Sequence, residues 1–221
     1  MAFCIKCGTQ LPDGARFCAK CGTPVQAAAD MTVINTTSSV SPAPSSGLEK
    51  GKWTLSDGVY EGTTLNDEPH GKGKRTWNDG DSYEGDYVNG VYNGKGKYTW
   101  ANGNVYEGDW VNGKRTGKGK FTQPDGGVYE GDFVDGKFHG KGKYTKPNGD
   151  FYEGDYVDGT MHGKGTLAFA DKSFYIGDFV NDNPHGMGSY YQAGGELQEG
   201  RFENGVYKGK NLFGGLFKPK G

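Results

Sequence analysis

Polar and apolar positions alternate along most of the chain, in a pattern that returns every 23 residues. Each unit opens with a run such as residues 83–88, YEGDYV, in which aromatic residues and glycine alternate with charged residues. A second run with the same alternation follows, as in residues 94–100, GKGKYTW. Successive side chains of a β-strand point to opposite faces, so this alternation predicts two β-strands in each unit.

The Tyr-Glu-Gly motif marks the start of each unit. Its regular copies begin at Tyr60, Tyr83, Tyr106, Tyr129 and Tyr152. Two weaker copies follow at the same spacing and begin at Tyr175 and Gln198. A fixed period of this length is typical of repeat proteins, in which each unit completes its core against its neighbours. Because the units at the two ends depart most from the pattern, we expect them to act as caps.

Dipeptides that contain glycine separate the strands. One series, represented by Asn89-Gly90, follows the first strand of a unit, and a second, represented by Asp79-Gly80, follows the second strand. Such dipeptides supply the positive φ angles that tight hairpin turns need. The chain is therefore predicted to be all-β, an elongated single-layer antiparallel meander of about fourteen short strands.

One face of the predicted sheet is charged. Glu84 and Asp86 share this face in the first strand of a unit, and Lys95 and Lys97 share it in the second. Opposite charges on neighbouring strands stabilise a sheet by about 0.2–1 kcal/mol per pair and help to fix its register. Because the same charges recur in nearly every unit, we interpret them as a solvated ladder rather than as a binding or catalytic site.

The opposite face combines aromatic residues with glycine. Glycine leaves flat backbone that the rings of adjacent strands can cover, so this face is predicted first of all to be the core of the array. A single layer covers such a face incompletely, and an aromatic groove is therefore expected to remain open to a partner. The residues predicted to contact that partner are Tyr87, Trp100, Trp110, Phe133 and Tyr156.

These units resemble the MORN-repeat family, whose sequence reads approximately Tyr-Glu-Gly-x-aromatic-x-x-Gly-x-x-x-Gly-x-Gly. Residues 106–119 and 129–142 follow this pattern closely, and the resemblance covers about residues 50–211. The resemblance implies an elongated, twisted sheet of hairpins that acts as a scaffold and binds proteins along a groove. For some members of the family, binding to phospholipids or self-association is also suggested.

Four cysteines near the N-terminus form two Cys-x-x-Cys-Gly units joined by a Pro-Asp-Gly turn. Two such knuckles can offer four thiolates to one tetrahedral Zn(II), and a site filled by four protein ligands is structural rather than catalytic. The predicted ligands of one structural zinc ion are Cys4, Cys7, Cys18 and Cys21. Two disulfides are the alternative, which a reducing compartment disfavours. Residues 3–25 resemble short zinc-ribbon modules.

Four segments are predicted from these features. Residues 1–25 form the zinc ribbon, residues 26–47 a flexible linker of low charge, residues 48–213 the repeat array, and residues 214–221 a C-terminal cap or tail. The last stretch carries Leu212, Phe213, Leu216 and Phe217 among lysines. We expect it to cover the edge of the sheet, and an interfacial membrane anchor is the alternative.

Composition and charge restrict the range of partners. Of the 221 residues, 41 are glycine, 33% are hydrophobic and 14% are aromatic, so we expect no single aliphatic core. Lys and Arg number 16 against 23 Asp and Glu in residues 51–200, and 5 against 1 in residues 201–221. An acidic array disfavours nucleic acid and anionic lipid as general partners, although the basic tail keeps anionic lipid open.

The sequence contains no pattern typical of an enzyme. The four histidines share one position in the repeat and are predicted to lie in hairpin loops; they are His70, His139, His162 and His185. Neighbouring copies would lie about 10 Å apart, too far for two of them to bind one zinc ion. We therefore expect a non-enzymatic protein. Because no apolar stretch approaches the roughly 18 residues of a membrane span, we also expect a cytoplasmic one.

The favoured hypothesis is a binding scaffold that captures a protein partner, or associates with itself into a homo-oligomer, through the aromatic groove. One alternative is a protein peripheral at a membrane, which binds phospholipid through the repeats and the basic aromatic C-terminus. A second alternative is nucleic-acid binding through the zinc ribbon, which the small number of basic residues there disfavours.

Overall fold

Two short strands precede the main sheet. The computed structural model describes residues 2–3, 10–11 and 47–210. Strands β1 (Ala2–Phe3) and β2 (Gln10–Leu11) pair in antiparallel orientation, with Phe3 opposite Gln10. The four cysteines, most of the predicted linker (26–47) and the predicted tail (214–221) lie outside the described residues, so the segment boundaries stay predictions.

Within residues 47–210, fifteen strands form one antiparallel sheet. Each strand pairs with the strands before and after it in the chain, so the sheet is an open meander without crossovers. The strands are β3 (Leu48–Leu55), β4 (Gly58–Leu65), β5 (Glu68–Trp77), β6 (Ser82–Val88), β7 (Val91–Thr99), β8 (Val105–Val111), β9 (Lys114–Thr122), β10 (Val128–Val134), β11 (Lys137–Thr145), β12 (Phe151–Val157), β13 (Thr160–Ala168), β14 (Phe174–Val180), β15 (Asn183–Tyr191), β16 (Leu197–Glu203) and β17 (Val206–Gly209). The predicted meander is confirmed, with β3 as an additional strand before the first Tyr-Glu-Gly motif. None of the described residues belongs to a helix long and apolar enough to cross a membrane.

The two series of turns differ in geometry. In the first, both central residues have positive φ, with 47° at Asn89 and 74° at Gly90, as a two-residue hairpin turn requires. In the second, the Gly80 N–H donates to the Trp77 carbonyl at 3.1 Å, and within the turn only the glycine has positive φ, at 97°. The prediction of positive angles is therefore confirmed for the first series and for the glycine alone in the second.

The tyrosine of each Tyr-Glu-Gly motif lies across a pair of glycines. Gly85 and Gly96 face each other on β6 and β7, and a Cβ atom at Gly96 would overlap the ring and hydroxyl of Tyr83. The Tyr83 hydroxyl crosses this flat backbone and donates to the Asp86 carbonyl at 3.0 Å. The same hydrogen bond recurs from Tyr106, Tyr129, Tyr152 and Tyr175. This contact explains why the tyrosine and both glycines return together in each unit.

A β-bulge interrupts the second strand of the unit. Between β6 and β7 the register shifts after Gly85, and Gly94 has a φ of 80°. The Lys95 N–H donates to Asp86 Oδ2 at 3.0 Å, and the next units repeat this bond. Because bulges increase the local twist of a sheet, the aspartate that follows Tyr-Glu-Gly stabilises a twist in each repeat.

The outermost strands of the sheet, β3 and β17, extend the aromatic packing at the two ends of the array. At the start, β3 carries Trp53, whose ring stacks on Tyr60 with 5.7 Å between centroids. At the other end, Tyr207 of β17 lies 5.2 Å from Phe202. The end units therefore extend the aromatic packing, as expected of caps.

Candidate functional site

Two series of aromatic residues form the core on one face of the sheet. Tyrosines of the Tyr-Glu-Gly motif alternate with aromatic residues four positions later, and their rings meet edge to face. The ring of Tyr83 lies 5.1 Å from Tyr87 and 5.4 Å from Trp110, measured between centroids. The buried members are Tyr60, Tyr83, Tyr87, Tyr106, Trp110, Tyr129, Phe133, Tyr152, Tyr156, Tyr175, Phe179 and Phe202. Burial and the nearby Asp109 raise the pKa of Tyr106 to about 12, so its hydroxyl stays protonated at neutral pH.

Four of the five predicted groove residues belong to this core. Tyr87, Trp110, Phe133 and Tyr156 are between 1% and 4% exposed. Only Trp100 is half-buried and keeps accessible ring surface. The expectation that all five line one open groove is therefore corrected, because the side chains of a third series cover the other four. Whether any of the five contacts a partner stays a prediction.

The third series was missed by sequence reasoning. It begins with Tyr92, which stacks on Tyr83 at 3.9 Å and contacts Tyr87 at 5.6 Å. Phe138 occupies the equivalent position two units later and stacks on Tyr129 at 3.7 Å. The series comprises Pro69, Tyr92, Arg115, Phe138, Met161, Pro184 and Tyr207. Its chemistry varies from unit to unit, so only its spacing of 23 residues could have revealed it.

Arg115 occupies the position that Tyr92 and Phe138 occupy in the neighbouring units, and its guanidinium packs against aromatic rings. Its guanidinium lies 5.5 Å from the Trp100 ring centroid and 5.7 Å from that of Phe121. It donates to the Gly136 carbonyl at 2.6 Å, which ties it to the next turn. Burial lowers the pKa of this guanidinium. Because its guanidinium is fixed by the Gly136 carbonyl, Arg115 restricts the movement of the Trp100 and Phe121 rings that pack against it.

A partly exposed strip of rings remains on the same face. This aromatic strip consists of Tyr98, Trp100, Phe121 and Tyr144, all half-buried. Trp100 lies 4.6 Å from Tyr98 and 5.9 Å from Phe121, measured between ring centroids. The Tyr98 hydroxyl donates to the Asp81 carboxylate, and the Tyr144 hydroxyl donates to Gln123 Oε1 at 2.6 Å. The strip therefore presents apolar surface whose orientation is already fixed.

The charged face carries the predicted ladder, which is confirmed. Lysines of one unit pair with the acidic residues of the next: Lys95 Nζ lies 2.5 Å from Asp109 Oδ1, and Lys118 Nζ lies 2.7 Å from Asp132 Oδ1. The hydrogen bond from Lys118 lowers the pKa of Asp132, with a smaller contribution from the Lys141 backbone N–H. A shallow trough runs along this face, lined by these side chains and by glycine backbone.

The histidines lie in strands, and their predicted place in hairpin loops was wrong. His70, His139, His162 and His185 belong to β5, β11, β13 and β15. Each histidine directly precedes the glycine of the β-bulge in its unit. The strand continues through the bulge, although the glycine there suggested a loop. His139 Nδ1 accepts a hydrogen bond from the Asp158 N–H at 3.5 Å, so it contacts the turn of the next unit. Among the described residues, no group of His, Cys, Asp and Glu could hold a metal ion.

Comparisons with known proteins identify both parts of the chain. Residues 3–25 match the model of a zinc-ribbon domain. Six successive stretches match the model of the MORN repeat: 60–82, 83–105, 106–128, 129–151, 152–174 and 175–196. No curated protein sequence matches the chain. Among solved structures, the chain is similar to the TCP domain of SAS-4 (dCPAP) of Drosophila melanogaster, which was solved in complex with a proline rich motif of Ana2 (dSTIL). It is 13% identical, with a TM-score of 0.42, and the match covers 76% of this chain and 100% of that one.

Proposed function

The chain belongs to the MORN-repeat family, and we propose that it is a non-enzymatic scaffold that captures a protein segment along the aromatic strip. The observation that carries this proposal is the strip itself, in which half-buried rings recur on one face in successive units. Membership in the family supports a protein-binding role in general.

The geometry of the strip favours an extended segment. Equivalent rings of neighbouring units, such as Tyr98 and Phe121, are separated by two strands, or about 10 Å. A chain in the extended polyproline II conformation advances about 3.1 Å per residue and returns every third side chain to the same side, so every third side chain would meet a ring. The expected partner therefore presents a small apolar residue at about every third position and polar residues between them.

The rigidity of the strip favours binding. Tyr98 and Tyr144 are held by hydrogen bonds to Asp81 and Gln123, and Trp100 packs against Arg115. Aromatic side chains that are already ordered lose little conformational entropy when a partner covers them. Rings of this type are also enriched among the residues that contribute most to interface affinity.

We also propose a structural role for the N-terminal module. Cys4, Cys7, Cys18 and Cys21 would hold one zinc ion, since four thiolates at this spacing are a donor set that suits zinc. The match to the zinc-ribbon domain supports this assignment. A site closed by four protein ligands would stabilise the fold of the module and leave no position for a substrate.

The experiment compares two double variants of the full chain in cells. Trp100→Gln with Phe121→Thr removes two rings of the strip, and Gln is the residue that the next unit already has at the equivalent position, Gln123. The control, Val111→Thr with Val134→Thr, changes side chains on the other face that are 51% and 47% exposed. Cross-linked partners are purified with each variant and quantified by mass spectrometry.

We expect the strip variant to capture at least about tenfold less of the partner, while the control captures as much as the wild type. Equal capture by both variants would contradict the proposal, and so would an equal loss in both. Recovery of a second copy of the chain as the captured species would identify self-association through the strip. Circular dichroism verifies that both variants keep the sheet.

Substitutions at Trp110 and Phe133 are unsuitable for this test. Both side chains are buried, at 4% and 1% exposure, and the Trp110 Nε1–H donates to the Gly96 carbonyl at 3.0 Å. Truncation of a buried aromatic residue costs about 3–5 kcal/mol. Lost capture in such a variant would therefore report loss of the fold rather than loss of a binding surface.

A further inference from the structure

The acidic charge of the array is concentrated in its C-terminal part. Residues 51–149 carry 14 Lys or Arg and 14 Asp or Glu, so this part is balanced. Residues 150–200 carry 2 Lys or Arg against 9 Asp or Glu. On the charged face, the second lysine of the unit, Lys143 in β11, is replaced by Thr166 in β13 and Ser189 in β15, so Glu199 of β16 faces Ser189 rather than a lysine.

An apolar patch interrupts the ladder at the same end. We define the apolar patch as Ile176 and Met187, which are 51% and 45% exposed and occupy positions held by Glu153 and Lys164 one unit earlier. Ile176 pairs with Thr166 on one side and with Ser189 on the other, so no charge faces it in the register of the sheet. Both patch residues line the trough on the charged face.

We propose that residues 211–221 of the same chain bind in this part of the trough. Their composition complements it, since Leu212, Phe213, Leu216 and Phe217 supply apolar surface for the patch. Lys218 and Lys220 supply positive charge, and residues 211–221 contain no Asp or Glu. Burial of apolar surface on the patch and attraction between these lysines and Glu199 would both favour binding of the segment at this place.

The segment is long enough to reach the patch. The described part of the array ends at Lys210, directly after β17, which is the last strand of the sheet. β15 and β14 lie two and three strands away, or about 10 and 15 Å. Eleven extended residues span roughly 36 Å, so the segment can turn back across β16 and still cover both patch residues.

This proposal concerns the opposite face from the aromatic strip and goes beyond the proposed function. Ile176 takes the place of the glutamates of the ladder, whereas Tyr98 and Phe121 point to the aromatic face. The bound segment would leave the strip accessible and would occupy the part of the trough that contains the patch and Glu199. A partner that binds this part of the trough would then have to displace the segment first.

The test uses photo-cross-linking in the full chain. Phe217 is replaced by p-benzoylphenylalanine, the protein is irradiated, and cross-linked peptides are mapped by mass spectrometry. We expect cross-links to residues of β14 and β15 of the same chain, with a yield that falls as the salt concentration rises. Ile176→Thr with Met187→Thr should lower this yield about fivefold or more, which corresponds to about 1 kcal/mol.

Matched variants decide between the possible outcomes. Val111→Thr with Val134→Thr, at similarly exposed positions of the same face, should leave the yield unchanged, and so should Trp100→Gln with Phe121→Thr on the strip. Cross-links to β17 would overturn the proposal in favour of a cap on the sheet edge. Cross-links between isotopically distinct chains would overturn it in favour of a second copy as the partner. The absence of cross-links to the array would also overturn it.

Discussion

At the scale of single residues, the repeat depends on a contact between one tyrosine and two glycines. Tyr83 is fully buried although it belongs to a single-layer sheet, because its ring lies flat on the backbone of Gly85 and Gly96. Its hydroxyl reaches the Asp86 carbonyl only across this flat surface. Glycine is required at these positions for close approach rather than for an unusual φ angle.

Gly96→Ala should destabilise the array by about 1–3 kcal/mol, since the new Cβ atom would displace the buried ring of Tyr83. The matched control is Gly47→Ala, where no atom lies within 4 Å of the added Cβ. We expect the control to change the free energy of unfolding by less than about 0.5 kcal/mol. Urea denaturation followed by tryptophan fluorescence measures both. Equal stability of the two variants would contradict the close contact.

At the scale of the element, each hairpin is specified by its turn, its bulge and its ladder. The turn at Asn89-Gly90 fixes the register, and the bulge at Gly94 adds twist where Asp86 accepts the Lys95 N–H. The ladder then connects one hairpin to the next, because the lysines of one unit pair with carboxylates of the following unit. Aspartate therefore acts both within its own unit and between units.

The ladder predicts a loss of stability in acid. Lys118 lowers the pKa of Asp132 in the folded state, so the ionised carboxylate stabilises the fold above the unfolded pKa of about 3.9. This contribution is lost as the pH falls through the lower, folded pKa. We expect the free energy of unfolding to decrease between about pH 5 and pH 2, and Asp132→Asn to make that decrease smaller.

Denaturation in urea at several pH values tests this prediction. All four tryptophans lie in the array, so their fluorescence reports its unfolding alone. Asp67→Asn, at an exposed turn position, is the control and should retain the pH dependence of the wild type. The role given to Asp132 would be refuted by a pH dependence of Asp132→Asn as steep as that of the wild type.

At the scale of the whole molecule, the zinc ribbon and the array are expected to fold independently. They are separated in the sequence by residues 26–47, whose composition is typical of a linker. The array requires no metal for its packing, since aromatic rings and glycine backbone form its core. A zinc ribbon, by contrast, buries too little apolar surface to fold without its ion.

Removal of zinc should therefore affect only the N-terminal module. We expect a chelator to release about one zinc ion per chain, as one site of four thiolates requires, and Cys7→Ser to weaken zinc retention. Neither treatment should shift the urea midpoint of the array measured by tryptophan fluorescence. Release of no zinc would refute the four-thiolate site, and a lower midpoint would show that the two parts are coupled.

The sequence predicted the fold well because the signals for it are local. Each turn dipeptide, each alternating strand and each charge pair is encoded within a few residues and repeated, so an error in one unit is corrected by the others. The candidate site was predicted less well. Tyr87 and Trp100 are both aromatic residues on the same face, and nothing close to either in sequence distinguishes the buried ring from the half-buried one.

The sequence by itself determined the repeat, the order of the strands, the face on which the rings lie and the charge ladder. Only the tertiary structure decided which rings are covered. The ring of Tyr87 is enclosed because Tyr60 of β4 and Tyr92 of β7 pack against it, together with Tyr83 of its own strand. Burial of this kind depends on contacts between units and on the twist that the bulges add, and a pattern within one unit does not record either.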